Sequence, residues 1–340
     1  FLRKKFNLKL LSSKEFKIPK IIAKITEFPL PINAAYMVSQ IGCPNNCNFC
    51  PSPYIYRYKP FSNAAKIINY LEKLSNNSNK DIFLYICDPN AFYPFQIWQK
   101  VFDYFIKNPK KIDYNIFIFC LSSLNHLNKF NLEKIQKSPL SILFINYGIE
   151  SAINKYPKNR GNPKKVVERL NNLNIITYQS FIIGFPFHTP ELLKLDVMKN
   201  LEFNSDIFFI NAYKPLPMTP LYNQLKSEER IFGMELPPEF LWVFEYMAFK
   251  HPFLGFGFDI LKYCFYSYVE SEKKTIDIYG KISDKLLNIF AHTNSRKIKR
   301  AASIFSKMSQ ANFFSFQNRM PINLTKIYKK RIEKNIKKIH

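Results

Sequence analysis

Three regularly spaced cysteines stand out in the stretch IGCPNNCNFC, residues 41–50. Cys43, Cys47 and Cys50 follow the pattern C-x3-C-x2-C, whereas the other cysteines of the chain are scattered singly. The loop that carries them is polar, so a group of unliganded core thiols is a poor explanation. Thiolates are ligands for zinc and for iron-sulfur clusters. The spacing therefore predicts a metal centre held by these three residues.

Two kinds of metal centre fit three thiols. Structural zinc is closed by four ligands, and the five histidines of the chain are distant from this loop in sequence and unpaired. Zinc would therefore need a fourth ligand that arrives through folding. A 4Fe-4S cluster held by three cysteines instead leaves one iron open to bind another molecule. The cluster is the better fit, and zinc stays open as the alternative.

The stretch IGCPNNCNFC resembles the signature of the radical SAM superfamily, C-x3-C-x-aromatic-C, with Phe49 at the aromatic position. The resemblance implies that the open iron chelates S-adenosylmethionine (SAM) and that reductive cleavage of SAM yields methionine and a 5'-deoxyadenosyl radical. It extends over roughly residues 30–225, and more faintly to FKHPF at 249–253. Four further stretches are similar to segments of radical SAM proteins that carry a cobalamin-binding domain: ICDPNAF (86–92), YGIES (147–151), IIGFPFHTPE (182–191) and KPLPMTPLY (214–222).

The resemblance implies roles for individual residues. Cys43, Cys47 and Cys50 would be the cluster ligands, and the region of Phe49 would pack near the adenine of SAM. The difficult chemistry would belong to the cofactors, while the protein positions the substrate and excludes water.

Five further residues are implied as contacts of SAM. Glu150 and Ser151 would reach the ribose or the methionine part, and a carboxylate is a natural acceptor for a ribose diol or an ammonium group. Ile183 and Gly184 would let the backbone approach the adenine closely. Asp88 would contact the methionine amino group. A surface or capping charge for Glu150, a plain turn glycine and a turn aspartate are the alternatives.

This sequence departs from the family pattern in two places. Met218 stands where the related segment has glycine, and Phe187 with His188 stands where it has Gly-Glu. The loops on the substrate side are therefore expected to differ from those of relatives. His188 is expected to be an exposed loop histidine without a catalytic role.

Strands and helices alternate in the part of the chain that positions these residues. Each predicted strand is rich in β-branched and aromatic residues, as buried parallel strands are. The predicted strands are AAYMVSQI (35–42), DIFLYIC (81–87), YNIFIFCL (114–121), ILFINYGI (142–149), ITYQSFIIGF (176–185) and IFFINAYK (207–214).

Helix start signals separate the strands. One follows Ser62, and Asn162 and Thr189 are each followed by proline, which is the usual pair of N-cap and first helical residue. The repeated unit predicts a parallel α/β architecture, an open sheet or a partial barrel. The resemblance selects a partial (β/α)6 TIM-type barrel with a mostly helical C-terminal extension. In such a barrel the cysteine loop lies at the carboxyl ends of the strands, where active sites are built.

Three regions are predicted along the chain. Residues 1–34 form an N-terminal linker, read as the remnant of a missing upstream domain, 35–225 form the radical SAM core, and 226–340 form a helical domain with a basic tail. No cobalamin signature D-x-H-x-x-G occurs in this sequence. The aromatic C-terminal residues could cover the site as a lid, with ordinary domain core as the alternative: Trp242, Phe244, Tyr246, Phe253, Phe256 and Phe258.

The formal net charge of +25 raises the question of a polyanionic partner. Lys, Asn, Ile and Phe, which this chain overuses, all have codons built only from A and T, so a biased genome explains the charge without nucleic-acid binding. Charges interrupt the most apolar run, which predicts no membrane span. Scattered cysteines favour a reducing compartment, the cytoplasm.

The expected function is a radical SAM enzyme, with C-methylation and cobalamin as the finer prediction. The expected partners are a small-molecule or lipid-like substrate and an electron donor, namely a reductase, a flavodoxin or a ferredoxin. A tRNA methylthiotransferase-like enzyme is the first alternative, because it would use the basic charge. A non-catalytic metal-binding protein with an RNA-binding tail is the second.

Overall fold

A computed structural model of the chain describes residues 26–27, 33–60, 62–154, 156–159, 161–231, 249–254, 267 and 270. The strands within this part are β1 (Thr26–Glu27), β2 (Asn33–Met37), β3 (Gln40–Ile41), β4 (Lys59–Pro60), β5 (Ile82–Ile86), β6 (Ile116–Leu121), β7 (Leu140–Glu150), β8 (Ile176–Ile183) and β9 (Ile207–Ala212). The helices are α1 (Ser52–Ile55), α2 (Ala64–Asn76), α3 (Phe95–Lys107), α4 (Leu124–Leu127), α5 (Leu132–Gln136), α6 (Pro163–Asn172), α7 (Pro190–Leu201) and α8 (Pro220–Ser227). Two 3-10 turns are Pro109–Lys111 and Pro157–Asn159.

One sheet in the order β1-β2-β5-β6-β7-β8-β9 forms the frame of the fold. Strand β1 pairs antiparallel with β2, and every following pair from β2 to β9 is parallel. Within the described residues β1 and β9 do not pair, so the sheet stays open. The predicted partial (β/α)6 barrel is confirmed for this part of the chain.

The strands have two differently covered faces, because successive side chains point to opposite sides. One face packs under the helices, where Met37, Leu84 and Ile118 are fully buried together with Trp98 and Phe102 of α3. This continuous apolar layer is typical of a parallel sheet that carries helices.

Aromatic rings bridge five neighbouring strands on the second face. The ring centroids of Phe83 and Phe119 are 5.9 Å apart, and those of Phe119 and Phe144 are 4.5 Å apart. Tyr178 continues the row at 5.9 Å from Phe144 and 5.7 Å from Phe209. Aromatic pairs at these distances stabilise beyond the area that they bury.

The first predicted strand is too long at its end. The structure ends β2 at Met37, and residues 40–41 pair instead with β4 in a separate two-stranded sheet. Asp88 explains the break, since its Oδ1 accepts hydrogen bonds from the backbone N–H of Ser39 at 2.7 Å and of Gln40 at 3.2 Å. These two amides are therefore unavailable for continued pairing along the strand.

The predicted helix caps are largely confirmed. The side chain of Asn162 accepts a hydrogen bond from the amide of Lys165, and that of Thr189 accepts one from the amide of Leu192, both at 3.2 Å. Helix α2 is capped by Asn63, one residue after the start signal that the sequence suggested.

The predicted N-terminal linker and most of the predicted C-terminal domain with its aromatic lid and basic tail lie outside the described residues. A short described segment, 249–254, contacts the core through a bridge between Ile231 and Phe249. No helix in the described part of the chain is long and apolar enough to span a bilayer.

Candidate active site

The cysteine loop connects β3 to the short helix α1. It begins at Gly42, whose φ of 66° suits glycine and where a Cβ atom would collide with the backbone oxygen of Tyr56. Cys47 is buried, Cys43 and Cys50 are partly exposed, and none of them forms a disulfide. The amide of Cys50 donates to the carbonyl of Cys47 at 3.2 Å, which turns the loop back on itself.

The thiols are close enough to influence one another. Burial raises the pKa of Cys47 to about 11, Lys158 opposes this shift, and Cys50 adds to it. Burial also raises the pKa of Cys43, with a further contribution from Cys50. Without a bound cation the thiols of Cys43 and Cys47 are therefore protonated at neutral pH. A metal centre would deprotonate them, because metal ligation requires the thiolate.

The donor set distinguishes the two kinds of metal centre. Within the part of the chain that the structure describes, no group of three or more His, Cys, Asp or Glu side chains is arranged to hold a single metal ion. Structural zinc needs four such ligands around one ion. Three thiolates on one loop can hold a 4Fe-4S cluster and leave one iron open, so the donor set that the loop offers fits such a cluster.

Glu150 lies where β7 ends beside the cysteine loop. A register shift in the pairing of β7 with β8 falls between Gly148 and Glu150, and Glu150 has a φ of 63°. Its buried carboxylate pairs with the amino group of Lys158. A Cβ atom at Gly148 would collide with both side chains. Glycine at position 148 therefore leaves the room that this ion pair occupies.

Lys158 is a site residue that the sequence did not single out. It lies in the 3-10 turn Pro157–Asn159, which is held to β7 by a hydrogen bond of 2.9 Å from Asn159 Nδ2 to the carbonyl of Ile149. Burial by itself lowers the pKa of Lys158, but the negative charge of Glu150, together with that of Cys47 once it is a thiolate, outweighs burial and raises it. A cation is thus held beside the thiols. Lysine is abundant in this chain and the turn matches no motif, so only the fold identifies Lys158.

Phe49 links the cysteine loop to the neighbouring loops. Its ring is 9% exposed and its centroid lies 5.1 Å from that of Tyr156 and 5.4 Å from that of Phe185. Lys158 Nζ lies 6.0 Å from the centroid of the same ring, within the range of a cation–π contact. The aromatic position of the cysteine motif therefore packs the loop against the ends of β7 and β8.

Asp88 hydrogen-bonds to the residues that precede the cysteine loop. It is fully buried, and its second oxygen accepts the hydroxyl of Ser39 in addition to the two amides described above. Burial raises the pKa of Asp88 to about 6, while the bonds from Ser39 and Gln40 oppose the shift. The structure thus gives Asp88 backbone partners just before the loop, and its expected contact with the methionine amino group stays a prediction.

The remaining expected SAM contacts line the ends of β7 and β8. Ser151 is buried and its Oγ accepts the amide of Asn154 at 3.0 Å. The carbonyl of Ile183 accepts the amide of Tyr213 at 2.8 Å, and Gly184 has a φ of 76°. These residues lie at the ends of β7 and β8, and their contacts with SAM stay predictions.

The expectation that His188 is exposed is wrong. Its side chain is fully buried, and it hydrogen-bonds to the amide of Gly184 and to the carboxylate of Asp196. The chain after Gly184 turns back over the end of β8 and places the ring beside its own loop. His188, one of the two residues that depart from the family pattern, is therefore packed inside the loop after β8.

Residues 37–195 match the family model of the Radical SAM superfamily, so this part of the chain is a radical SAM domain. The family predicted from the sequence is confirmed. This superfamily uses a 4Fe-4S cluster and SAM, which are therefore the cofactors of the domain. Membership of this superfamily supports an enzymatic function for the domain.

Three curated relatives share part of the chain. An anaerobic magnesium-protoporphyrin IX monomethyl ester cyclase of Cereibacter sphaeroides is 24% identical over 60% of this chain and 34% of its own length. A hopanoid C-2 methylase of Rhodopseudomonas palustris is 22% identical over 61% and 42%. A tRNA-2-methylthio-N(6)-dimethylallyladenosine synthase of Rickettsia canadensis is 24% identical over 55% and 44%. The matched region is less than half of each relative.

Two solved structures are matched at lower sequence identity. The radical SAM methyltransferase TsrM from Kitasatospora setae, solved with cobalamin and a 4Fe-4S cluster, is 13% identical with a TM-score of 0.47, over 57% of this chain and 36% of its own. The cobalamin-dependent SAM radical enzyme OxsB is 13% identical with a TM-score of 0.49, over 83% and 46%.

Proposed function

We propose that this protein is a radical SAM enzyme in which Cys43, Cys47 and Cys50 hold the 4Fe-4S cluster. The observation that carries the proposal is the placement of three free thiols on one loop beside the ion pair of Lys158 and Glu150. When bound, the cluster supplies the electron that cleaves SAM reductively to methionine and a 5'-deoxyadenosyl radical.

The chain contributes charge compensation and orientation. Lys158 offsets the negative charge that the thiolates acquire on ligation, and it holds Glu150 in place. The carboxylate of Glu150 has acceptor capacity beyond its bond to Lys158 and would accept the ribose hydroxyls or the ammonium group of SAM. The backbone of Ile183 and Gly184 would face the adenine.

Water exclusion is the second contribution of the chain. The rings of Phe49, Tyr156 and Phe185 form one packed group directly behind the cysteine loop. An apolar wall at this place keeps water and stray hydrogen donors from a reactive radical. A reductase, a flavodoxin or a ferredoxin would deliver the electron from outside.

Iron content tests the assignment of the ligands. We expect anaerobically reconstituted wild-type protein to hold about four irons and four sulfides per chain and to form 5'-deoxyadenosine with dithionite and SAM. Cys43→Ala, Cys47→Ala and Cys50→Ala should each lose both properties. Cys87→Ala, an exposed cysteine outside the loop, is the matched control and should keep them. Loss in the control, or retention in the three variants, would refute the assignment.

The finer part of the proposal is C-methylation of a small-molecule or lipid-like substrate with cobalamin as an additional cofactor. Its support is the match to hopanoid C-2 methylase and the four stretches that resemble cobalamin-associated radical SAM proteins. The test is absorbance and mass analysis of cobalamin on the full-length gene product after growth with hydroxocobalamin. Absence of stoichiometric cobalamin would contradict this part and leave SAM cleavage untouched.

A tRNA-modifying activity is the second candidate, favoured by the match over 205 residues to a tRNA-2-methylthio-N(6)-dimethylallyladenosine synthase. Nucleoside analysis of tRNA from cells with and without the gene tests it, because the activity would change one modified adenosine. The non-catalytic alternative rests on the basic tail, which lies outside the described residues. Deletion of residues 325–340 with unchanged RNA affinity would remove its support.

A further inference from the structure

His188, which together with Phe187 stands where the related segment has Gly-Glu, makes a complete set of hydrogen bonds. Nδ1 of His188 accepts from the amides of Gly184 at 3.0 Å and Phe185 at 3.1 Å. An acceptor Nδ1 places the proton of a neutral imidazole on Nε2. Nε2 lies 3.0 Å from Oδ2 of Asp196 and donates to it. The tautomer of His188 is therefore set by its neighbours on both sides.

Asp196 connects His188, in the loop after β8, to the segment that follows β7. It lies on α7, and its other oxygen, Oδ1, accepts from the amides of Ala152 at 2.6 Å and Ile153 at 3.2 Å. Asn200 also donates to this oxygen, at 3.1 Å. A single carboxylate thus joins the segment after β7 to the loop after β8.

The joined segments carry the residues that are expected to contact SAM. Ala152 directly follows Glu150 and Ser151, and Gly184 is itself bonded to His188. Strand pairing fixes β7 against β8 only as far as Glu150 and Phe181. Beyond these ends the chain of hydrogen bonds through His188 and Asp196 sets the distance between the two segments.

We propose that His188, acting with Asp196, is a positioning residue that holds the two SAM-facing segments, 150–153 and 183–185, at a fixed separation. The role of His188 in catalysis rests on the proposed function. The hydrogen-bonded link formed by His188 and Asp196, called the brace below, is a property of the chain alone. His188 does not touch the reacting atoms. It acts through Gly184 and, by way of Asp196, through the backbone beside Glu150.

A merely space-filling role is a poorer account of this pair. Buried polar side chains cost free energy unless they are hydrogen-bonded, and an apolar residue would fill the same volume without that cost. Here both ring nitrogens and both carboxylate oxygens have partners, and all but one of the partners are backbone amides or the pair itself. A fully satisfied network of this kind specifies backbone geometry.

The brace also reaches the cysteine loop. Phe185, whose amide is bonded to His188, packs its ring 5.4 Å from that of Phe49. The carbonyl of Phe185 accepts a further hydrogen bond of 2.8 Å from Nε2 of His251. A shift of the loop after β8 would therefore also displace the ring of Phe49, between Cys47 and Cys50.

Hydrogen exchange of the protein without cofactors tests the brace directly. In His188→Leu we expect amides of the peptides covering 150–156 and 184–189 to exchange at least 10-fold faster than in wild type, with the interior of β8 unchanged. His188→Gln has a side-chain acceptor and donor and should restore wild-type exchange in both peptides. Unchanged exchange of 150–156 in His188→Leu, or failure of His188→Gln to restore it, would overturn the proposal.

Thr189→Ala is the matched control for loosening of the same segment. It removes the cap of α7 but leaves the His188–Asp196 pair intact. Its faster exchange should be confined to the start of α7. Equal acceleration of 150–156 in this control would mean that any loosening has the same effect, which would overturn the specific role of His188.

Steady-state kinetics tests the catalytic consequence in reconstituted enzyme. We expect His188→Leu to raise the KM for SAM at least 10-fold with an unchanged iron content, His188→Gln to recover most of the affinity, and Thr189→Ala to match wild type. An unchanged KM in His188→Leu would overturn the positioning role. Absence of SAM cleavage in wild type would instead refute the proposed function, because the exchange experiment detects the brace without cofactors.

Discussion

The amino group of Lys158 pairs with the carboxylate of Glu150 at the end of the fourth parallel strand, with both side chains largely buried. The same amino group lies beside the ring of Phe49. In the sequence Phe49 stands between Cys47 and Cys50, two of the three clustered cysteines. One buried cation thus connects the cysteine loop to the carboxylate that is expected to contact SAM.

Breaking this pair should destabilise the protein. In Lys158→Met the buried carboxylate of Glu150 loses its partner, and we expect a loss of about 3 kcal/mol in the free energy of unfolding of the cofactor-free protein. Urea denaturation measures it. The double variant Lys158→Met/Glu150→Gln should recover most of the loss, because no uncompensated charge remains.

An exposed ion pair supplies the control for that measurement. Glu133 and Arg169 pair on the surface, where the side chain of Glu133 is 49% exposed. Arg169→Ala should cost less than about 1 kcal/mol, since solvent screens exposed pairs. Equal losses in Lys158→Met and Arg169→Ala would contradict the burial argument.

Gly148 should matter for the site more than for stability. In Gly148→Ala the new Cβ would displace the flexible side chains of Glu150 and Lys158, and we expect SAM cleavage to fall at least 10-fold with stability nearly retained. Gly161→Ala is the opposite case, because Gly161 has a φ of 94° with open space around it. That variant should lose about 1 kcal/mol in unfolding free energy through backbone strain and keep SAM cleavage. The reverse pattern would contradict the placement of Glu150.

Asp88 predicts a pH dependence of stability. Its pKa is raised by burial to about 6 in the folded protein, so the folded state binds a proton more tightly than the unfolded state does. Wild type should therefore lose about 3 kcal/mol relative to Asp88→Asn as pH rises from well below 3.8 to well above 6. Unfolding free energies of the two cofactor-free proteins across this range measure the difference. A difference that does not change with pH would show that the pKa of Asp88 is not raised.

His251 should titrate at an unusually acidic pH. Burial lowers its pKa to about 4, although the bond from Nε2 to the carbonyl of Phe185 opposes the shift. We expect its ring proton signals to change near pH 4 in NMR spectra, with His251→Gln used to assign them. A midpoint near 6.5, the ordinary value, would show that segment 249–254 does not pack against the loop after β8.

The sequence predicted the parts of the fold that depend on local pattern. Apolar runs with β-branched residues marked each of the six parallel strands, and Asn162 and Thr189 marked helix starts correctly. The first strand was predicted too long because its end is set by Asp88, a residue 49 positions from Ser39 in the chain. No local pattern contains such a contact.

The site was predictable only where its residues carry a motif. The spacing of the cysteines indicated a metal centre, whereas Lys158 lies in a turn without a recognisable pattern. His188 was expected to be exposed because loop residues usually are. Its burial depends on Asp196, which faces it from the next helix, and on backbone amides whose positions only the fold defines.

Electron paramagnetic resonance of the reconstituted, reduced protein tests the central claim most directly. Spectra are recorded anaerobically with and without SAM, on wild type and on Cys47→Ala. We predict a 4Fe-4S signal in wild type that changes when SAM is added, because SAM binds the open iron, and no such signal in Cys47→Ala. A cluster signal that is indifferent to SAM, or zinc with no cluster in wild type, would contradict the account.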